Sequence, residues 1–316
     1  MSTKNKNEDP EYLIRKAEKA LNPGFFSAIF KSTSERLDDA YSKYETAADI
    51  YLVEKEYSKA AECYLKCAYV KELAKEPSFY SYEQAINCYK KTNDDKNFLI
   101  TIEKCIKSFI DGGKFYQAAE LEYEKGKIQE RSQQFQEALE SYDKALDFFE
   151  MDKDKKESIV REVKIAKANL ICVNNLTEMI PEAKAIFEEA GDQCLNQSLA
   201  HKLLAKDYYT KNVLCYFVYD DYISAKAYMN KYFDNDNSFE QSSYGQLLKG
   251  IVKCFERGND YKEEDDNILA VIIKFTMSIK NNKKAYDKFM EIMLEKIKEK
   301  VNKEVVEDLN EEDDLR

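Results

Sequence analysis

The residues that could support catalysis are few. The single histidine of the chain, His201, lies three residues after Ser198, and a serine beside a histidine is the core of one kind of nucleophilic site. Such a pair also needs an acid that orients the imidazole, and the sequence assigns none. An ordinary structural role explains both residues more simply, so we expect no enzymatic activity.

Metal and nucleotide chemistry have equally weak support. Cys63 and Cys67 share a helix face, but no further Cys or His follows at the spacing of a zinc site. A glycine-rich phosphate-binding loop is also absent from the sequence. We therefore predict no cofactor and no metal. Since no secretory signal precedes them, we expect the eight cysteines to be reduced, buried side chains of a cytosolic protein.

The composition predicts helices. The 316 residues include only eight glycines and four prolines, and alternating β-branched runs bounded by turn residues are scarce. Charged residues make up 34% and aromatic residues 13%, which suits amphipathic helices with an aromatic buried side. The formal net charge of −11 disfavours general binding to DNA, RNA or an anionic membrane, unless a local basic patch overrides it. The apolar runs are shorter than the roughly 18 residues that span a bilayer, so any membrane contact is expected to be peripheral.

One short phrase recurs along the chain. An alanine is followed about one helical turn later by an aromatic residue, with a spacing between phrases of about 40 residues or twice that. The aligned alanines are Ala60, Ala138, Ala183 and Ala225. The small side chain lets two helices approach, and the aromatic ring fills the groove between them. We therefore predict an all-α fold, a tetratricopeptide-like α-solenoid of antiparallel helix pairs.

Glycines and a change of pattern divide the predicted solenoid. We expect the glycines of 111–113 and Gly191 to end helices. From Tyr244 onward the apolar runs lengthen, which favours a C-terminal helical bundle that caps the array. The predicted segments are an N-terminal helix and apolar loop at 1–37, the solenoid at 38–233, the bundle at 234–303 and an acidic tail at 304–316. Acids oppose the negative end of a helix dipole, so the last turns should fray.

The stretch GFFSAIF, residues 24–30, places three phenylalanines and an isoleucine in a very polar chain. Two interpretations are open from the residues themselves. The stretch could contact a membrane, or it could form a hydrophobic staple against the next helix.

Three phrases in order resemble one family. They are FFSAIF near the start, AKDYYTKNVLCYF at 205–217 and the terminal EEDDLR. From about residue 10 to the last residue, the sequence resembles soluble NSF attachment proteins of the alpha/beta type. The resemblance implies an adaptor that binds assembled SNARE complexes and recruits and stimulates the hexameric ATPase NSF for SNARE disassembly in vesicle-mediated transport. The alternative is a generic tetratricopeptide scaffold or co-chaperone that binds peptide segments in its concave groove.

The resemblance assigns three contact surfaces. Membrane contact falls on Phe25, Phe26, Ile29 and Phe30, which implies a cytoplasmic protein associated peripherally with membranes. The resemblance assigns SNARE binding to eight basic residues, and the alternative interpretation is that they are solvated charges on an outer face. These residues are Lys114, Lys155, Lys156, Arg161, Lys164, Lys167, Lys202 and Lys206. The resemblance assigns NSF binding to the acidic tail, and the alternative interpretation is that the tail is a disordered segment that keeps the protein soluble. The assigned residues are Glu311, Glu312, Asp313, Asp314 and Leu315. One departure is Glu120, which stands where the family has a lysine.

Overall fold

A computed structural model describes residues 9–23, 31–153, 156–257, 267–279 and 286–314. Across these residues every regular element is a helix. The chain divides into two compact units, Met1–Lys156 and Glu157–Arg316.

The first unit is a series of helices joined by short loops. Its helices are α1 (Pro10–Leu21), α2 (Thr33–Val53), α3 (Tyr57–Leu73), α4 (Phe79–Thr92), α5 (Asp95–Asp111), α6 (Phe115–Arg131) and α7 (Phe135–Met151). Each helix packs against the next one in the chain. Short connections between contacting helices make neighbours antiparallel, so the unit is built from helix pairs as predicted.

The second unit begins with the same arrangement. Its elements are α8 (Glu157–Val173), a 3₁₀ turn (Thr177–Met179), α9 (Ile180–Leu195), α10 (Leu199–Tyr219), α11 (Tyr222–Asn235), α12 (Asn237–Glu240), α13 (Ser243–Arg257), α14 (Ile268–Ser278) and α15 (Lys288–Asp314). The helix α15 packs against α8 and α10, and α13 packs against α10 and α14. The end of the chain therefore folds back onto the helix pairs that open this unit.

The predicted segment boundaries can be placed on these helices. Position 233/234 lies within α11, and position 303/304 lies within α15, whose backbone stays helical to Asp314. The division of the chain into loop, solenoid, bundle and tail stays a prediction, and so does the fraying of the last turns in solution.

The helices of the first unit end in a recurring way. The residue just after the last turn adopts a left-handed conformation, with φ of 67° at Gly113 and 62° at Lys55. The Gly113 N–H donates to the Ile110 carbonyl at 2.9 Å, and the next N–H reaches back to Phe109 at 2.8 Å. This pair of bonds satisfies carbonyls that the helix end leaves free. The prediction that the glycines of 111–113 end a helix is thus confirmed.

The prediction for Gly191 is wrong. Gly191 lies inside α9, and a Cβ built there would lie 2.4 Å from Cε1 of Tyr209 on α10. Gly126 of α6 occupies the same kind of position, 2.5 Å from Cε1 of Tyr142 on α7. Both glycines are therefore needed for close helix packing. The four aligned alanines of the recurring phrase are fully buried, as predicted.

Gly126→Ala is expected to lower the free energy of unfolding of the first unit by about 1–3 kcal/mol, because the new methyl group overlaps the Tyr142 ring. Gly112→Ala is the matched control, since its Cβ would lie 3.4 Å from the Ser108 carbonyl oxygen, an ordinary contact. Its expected change is within about 0.5 kcal/mol. Urea unfolding followed by circular dichroism measures both variants. Equal losses in the two variants would contradict the close contact.

Candidate functional site

The residues first considered for chemistry form a local contact. Ser198 precedes the first turn of α10, and its Oγ lies 2.8 Å from Nδ1 of His201 on the same turn. All eight cysteines are free and buried, as predicted. Burial raises the pKa of Cys63 to about 11, which keeps its thiol protonated at neutral pH. Within the described ranges, no cluster of three or more metal-binding side chains occurs.

Two of the predicted SNARE-binding lysines flank the start of α6. Lys114 directly precedes this helix and is exposed, and its Nζ lies 4.5 Å from the Phe79 ring centroid. Lys156 is also exposed, and its Nζ lies 5.9 Å from the ring centroid of Tyr116. Cations above aromatic faces are held by the quadrupole of the ring. The first unit therefore presents Lys114 and Lys156 to solvent at one end of α6.

The departure at Glu120 lowers the positive potential of this region. Burial raises the pKa of Glu83, and the charges of Lys114 and Glu120 act on that carboxyl in opposite directions. Burial and the Glu120 carboxylate also raise the pKa of Tyr116. Lys114 thus lies close to Glu83, and Glu120 lies close to both Glu83 and Tyr116. A lysine at position 120 would make the same surface more basic.

The basic residues of α8 mainly bind α9. Nζ of Lys164 lies 3.1 Å from both carboxylate oxygens of Glu189, and Nζ of Lys167 lies 2.6 Å from Glu182. Lys167 is buried. Arg161 is half-buried beside Tyr208 of α10; burial raises the pKa of that tyrosine, and the guanidinium lowers it. The regular spacing does place these three residues on one helix face, but that face meets neighbouring helices.

The remaining predicted positions are separate from that face. Lys202 is exposed, whereas Lys206 is buried and donates to the carbonyl of Ser238 at 3.0 Å and to its Oγ at 2.8 Å. The other candidates lie outside the described residues: Phe25, Phe26, Ile29, Phe30, Lys155 and Leu315. For Glu311, Glu312, Asp313 and Asp314, the structure describes only the backbone, which is the last turn of α15.

Sequence reasoning missed the lysines that anchor α15. Nζ of Lys296 donates to the Cys172 carbonyl at 3.1 Å and to Asn175 Oδ1 at 2.6 Å, both at the end of α8. Nζ of Lys300 donates to the carbonyls of Phe217 and Asp220 at 3.0 and 2.8 Å, at the end of α10. Cations at helix C-termini satisfy free carbonyls and oppose the negative end of the dipole. The sequence signal for this role is the four-residue spacing of Lys296 and Lys300, which places both lysines on one face of α15.

A third lysine fixes the start of α15. Lys211 is buried in α10, and its Nζ lies 2.5 Å from Oδ2 of Asp287, the residue just before α15. Oδ1 of Asp287 accepts the N–H of Met290, 2.9 Å away, in the first turn of the helix. Three lysines therefore set the position of the helix that leads to the acidic tail.

An all-α array of helix pairs with charged surfaces belongs to the class of helical binding proteins. The family model described as "Soluble NSF attachment protein, SNAP" matches residues 8–302, and the chain therefore belongs to this family.

Relatives from several organisms align over most of their length. The "Vesicular-fusion protein SEC17" of Komagataella phaffii is 27% identical, over 83% of this chain and 86% of the relative. The "Alpha-soluble NSF attachment protein" of Saccharomyces cerevisiae is 26% identical, over 97% of this chain and 99% of the relative. The human protein of that name is 24% identical, over 82% and 86%. In the part of the chain that the structure describes, no helix is long and apolar enough to cross a membrane.

Lys296→Met is expected to loosen α15, because three oxygen acceptors at the ends of α8 and α10 lose their shared donor. Charge-assisted hydrogen bonds contribute about 1.5–3 kcal/mol, so amide exchange in α15 should accelerate about tenfold or more. Lys298→Met is the matched control, since Lys298 binds only Glu295 within its own helix among the described residues. Hydrogen–deuterium exchange of residues 288–303 measures the effect, and equal exchange in both variants would refute the anchoring role.

Proposed function

We propose that this chain is an adaptor that binds assembled SNARE complexes and recruits and stimulates the NSF ATPase during vesicle fusion and transport. The family match across residues 8–302 carries this proposal. The near-complete alignment with the yeast protein supports it, because it covers 97% of this chain and 99% of that relative. The same match favours the adaptor over a generic peptide-binding scaffold. The adaptor acts by binding, and its partner supplies the ATP hydrolysis.

The exposed basic residues are the best candidates for the SNARE contact. Lys114, Lys156 and Lys202 are available to a partner, since each is solvent-exposed. SNARE surfaces of acidic character would be attracted to them, and such attraction mainly accelerates association. Glu120 moderates this attraction near Lys114. Lys155 belongs to the same proposal on sequence grounds.

The paired basic residues have a different role in the proposal. Lys164 and Lys167 tie α8 to α9, and Lys206 ties α10 to the segment around Ser238. Lys167 and Lys206 are buried, so loss of their partners would leave a charge in the protein interior without compensation. These residues therefore keep the helix pairs rigid while force passes through them. Arg161 combines both roles, since it is half-buried.

The tail is the proposed NSF contact. Seven acids between positions 304 and 314 would steer a basic partner, and this steering weakens as salt rises. Leu315 supplies the apolar contact that stimulates ATP hydrolysis. The lysine anchors of α15 support this role, because they give the segment before the tail a fixed base.

The apolar stretch is the proposed membrane contact. Phe25, Phe26, Ile29 and Phe30 each contribute up to about 1.5–3 kcal/mol on full burial, and less at an interface. One such loop is a marginal anchor. Several adaptors on one SNARE bundle would combine their loops, because linked weak contacts act at high effective concentration. The protein would thus work at the membrane periphery.

Reversing both exposed lysines, Lys114→Glu with Lys156→Glu, should slow association with a purified SNARE bundle by about tenfold at low salt, because the local potential becomes repulsive. The matched control, Lys104→Glu with Lys107→Glu, makes the same charge change on the exposed side of α5. Stopped-flow or surface-plasmon kinetics measures the rates, and circular dichroism checks that the helices are intact. The same slowing in both variants would mean that net charge, rather than this surface, governs the encounter.

A further inference from the structure

A cleft of about 600 Å³ lies between α1 and the start of α2 in the first unit. Five basic side chains and one acidic side chain line it: Lys16, Lys19, Lys31, Arg36, Lys43 and Asp39. The cleft therefore has an excess of four positive charges, in a chain whose formal net charge is −11. Like charges gathered around one cleft repel each other, and a bound anion would remove that cost.

Asp39 organises one wall of the cleft. It forms an ion pair with Lys43, one turn later in α2, and a second with Lys31 at 3.4 Å. The Lys43 hydrogen bond lowers the pKa of Asp39, so this carboxylate is charged at neutral pH. One carboxylate offsets one of these two lysines. It holds both side chains in place and leaves the wall positively charged.

Arg36 belongs to the same wall. Its Nη2 donates to Thr33 Oγ1 at 3.0 Å. This bond orients the guanidinium, and because the hydroxyl is neutral it does not offset the positive charge. A guanidinium presents five N–H donors, so others remain for an anion. Arginine with neighbouring lysines is the usual protein environment for phosphate, because the planar fork matches two phosphate oxygens.

The opposite wall is the last two turns of α1. Lys16 and Lys19 are exposed and lie three residues apart, so they share a helix face. In the part of the chain that the structure describes, neither pairs with a carboxylate, and the Nζ of Lys16 lies 4.6 Å from the Tyr12 ring centroid. Their charges are therefore available on the side of the cleft that faces Arg36 and Lys43.

We propose that this cleft binds the phosphorylated headgroup of an anionic membrane lipid. A multiply charged phosphomonoester matches an excess of four positive charges better than a singly charged headgroup does. The lipid source is favoured by the sequence, because Phe25, Phe26, Ile29 and Phe30 lie between α1 and α2 along the chain. Stable membrane binding needs two such signals, an apolar one and a basic one. The inference adds lipid selectivity to the membrane contact proposed above.

The test uses the full chain and vesicles, with neither SNARE nor ATPase present, so its failure is separate from failure of the adaptor role. Vesicles of phosphatidylcholine contain either phosphatidylserine or phosphatidylinositol bisphosphate at equal mean surface charge. We expect tighter binding to the bisphosphate vesicles. Lys16→Gln with Lys19→Gln should lower that partition coefficient about 30-fold, because each basic residue near an anionic surface contributes about fivefold.

The matched control is Lys104→Gln with Lys107→Gln, an exposed pair with the same spacing on α5. It should change the partition coefficient less than about twofold. Lys19→Arg keeps the charge and should bind as the wild type does, which separates loss of charge from loss of folding.

Three results would overturn the proposal. The first is equal loss in the cleft pair and in the control pair. The second is equal binding to the two anionic vesicles, which would indicate attraction to surface charge alone. The third is binding of soluble inositol trisphosphate as tightly as bisphosphate vesicles, which would make a free phosphate compound the ligand.

Discussion

The structure depends on one repeated contact, in which a tyrosine ring packs against a small residue of the preceding helix and its hydroxyl donates to a carboxylate of that helix. Tyr142 lies against Gly126 and donates to Glu130 at 2.8 Å. Tyr209 lies against Gly191 and donates to Asp192 at 2.6 Å. The ring buries apolar area, and the hydroxyl keeps a partner that a phenylalanine would lack. One such contact therefore sets both the distance and the register of a helix pair.

The same hydroxyl-to-carboxylate bond recurs without glycine in the first three helix contacts. The donors and acceptors are Tyr51 and Glu11 at 2.6 Å, Tyr64 and Asp49 at 2.9 Å, and Tyr82 and Glu72 at 2.6 Å. Burial, assisted by the carboxylate, raises the pKa of each of these tyrosines. In the second unit, polar bonds also join helices: Lys167 pairs with Glu182, and Lys296 of α15 donates to the carbonyl of Cys172 at the end of α8. Because many charged side chains are paired between helices, only the exposed ones, such as Lys114, Lys156 and Lys202, are available to partners.

The sequence predicts what depends on local spacing. The recurring alanine and aromatic residues indicated helix pairs, and all four aligned alanines are buried. The prediction for Gly191 is wrong because glycine is common just after helix ends, and only the ring of Tyr209, on another helix, shows why this glycine lies inside one. A sequence displays charges but not their partners: Lys167 and Lys114 look alike, yet one is buried against Glu182 and the other is exposed. The cleft between α1 and α2 likewise combines side chains that only folding brings together.

The most direct test of the adaptor role is ATP-dependent disassembly of a purified SNARE bundle by NSF, with this chain as the only adaptor. The account predicts disassembly with the wild type. It predicts that Leu315→Ala still binds the bundle but supports much slower disassembly and weaker ATPase stimulation. A wild-type chain that neither binds the bundle nor brings NSF to it at low salt would contradict the account, and a generic scaffold would then explain the helix pairs better.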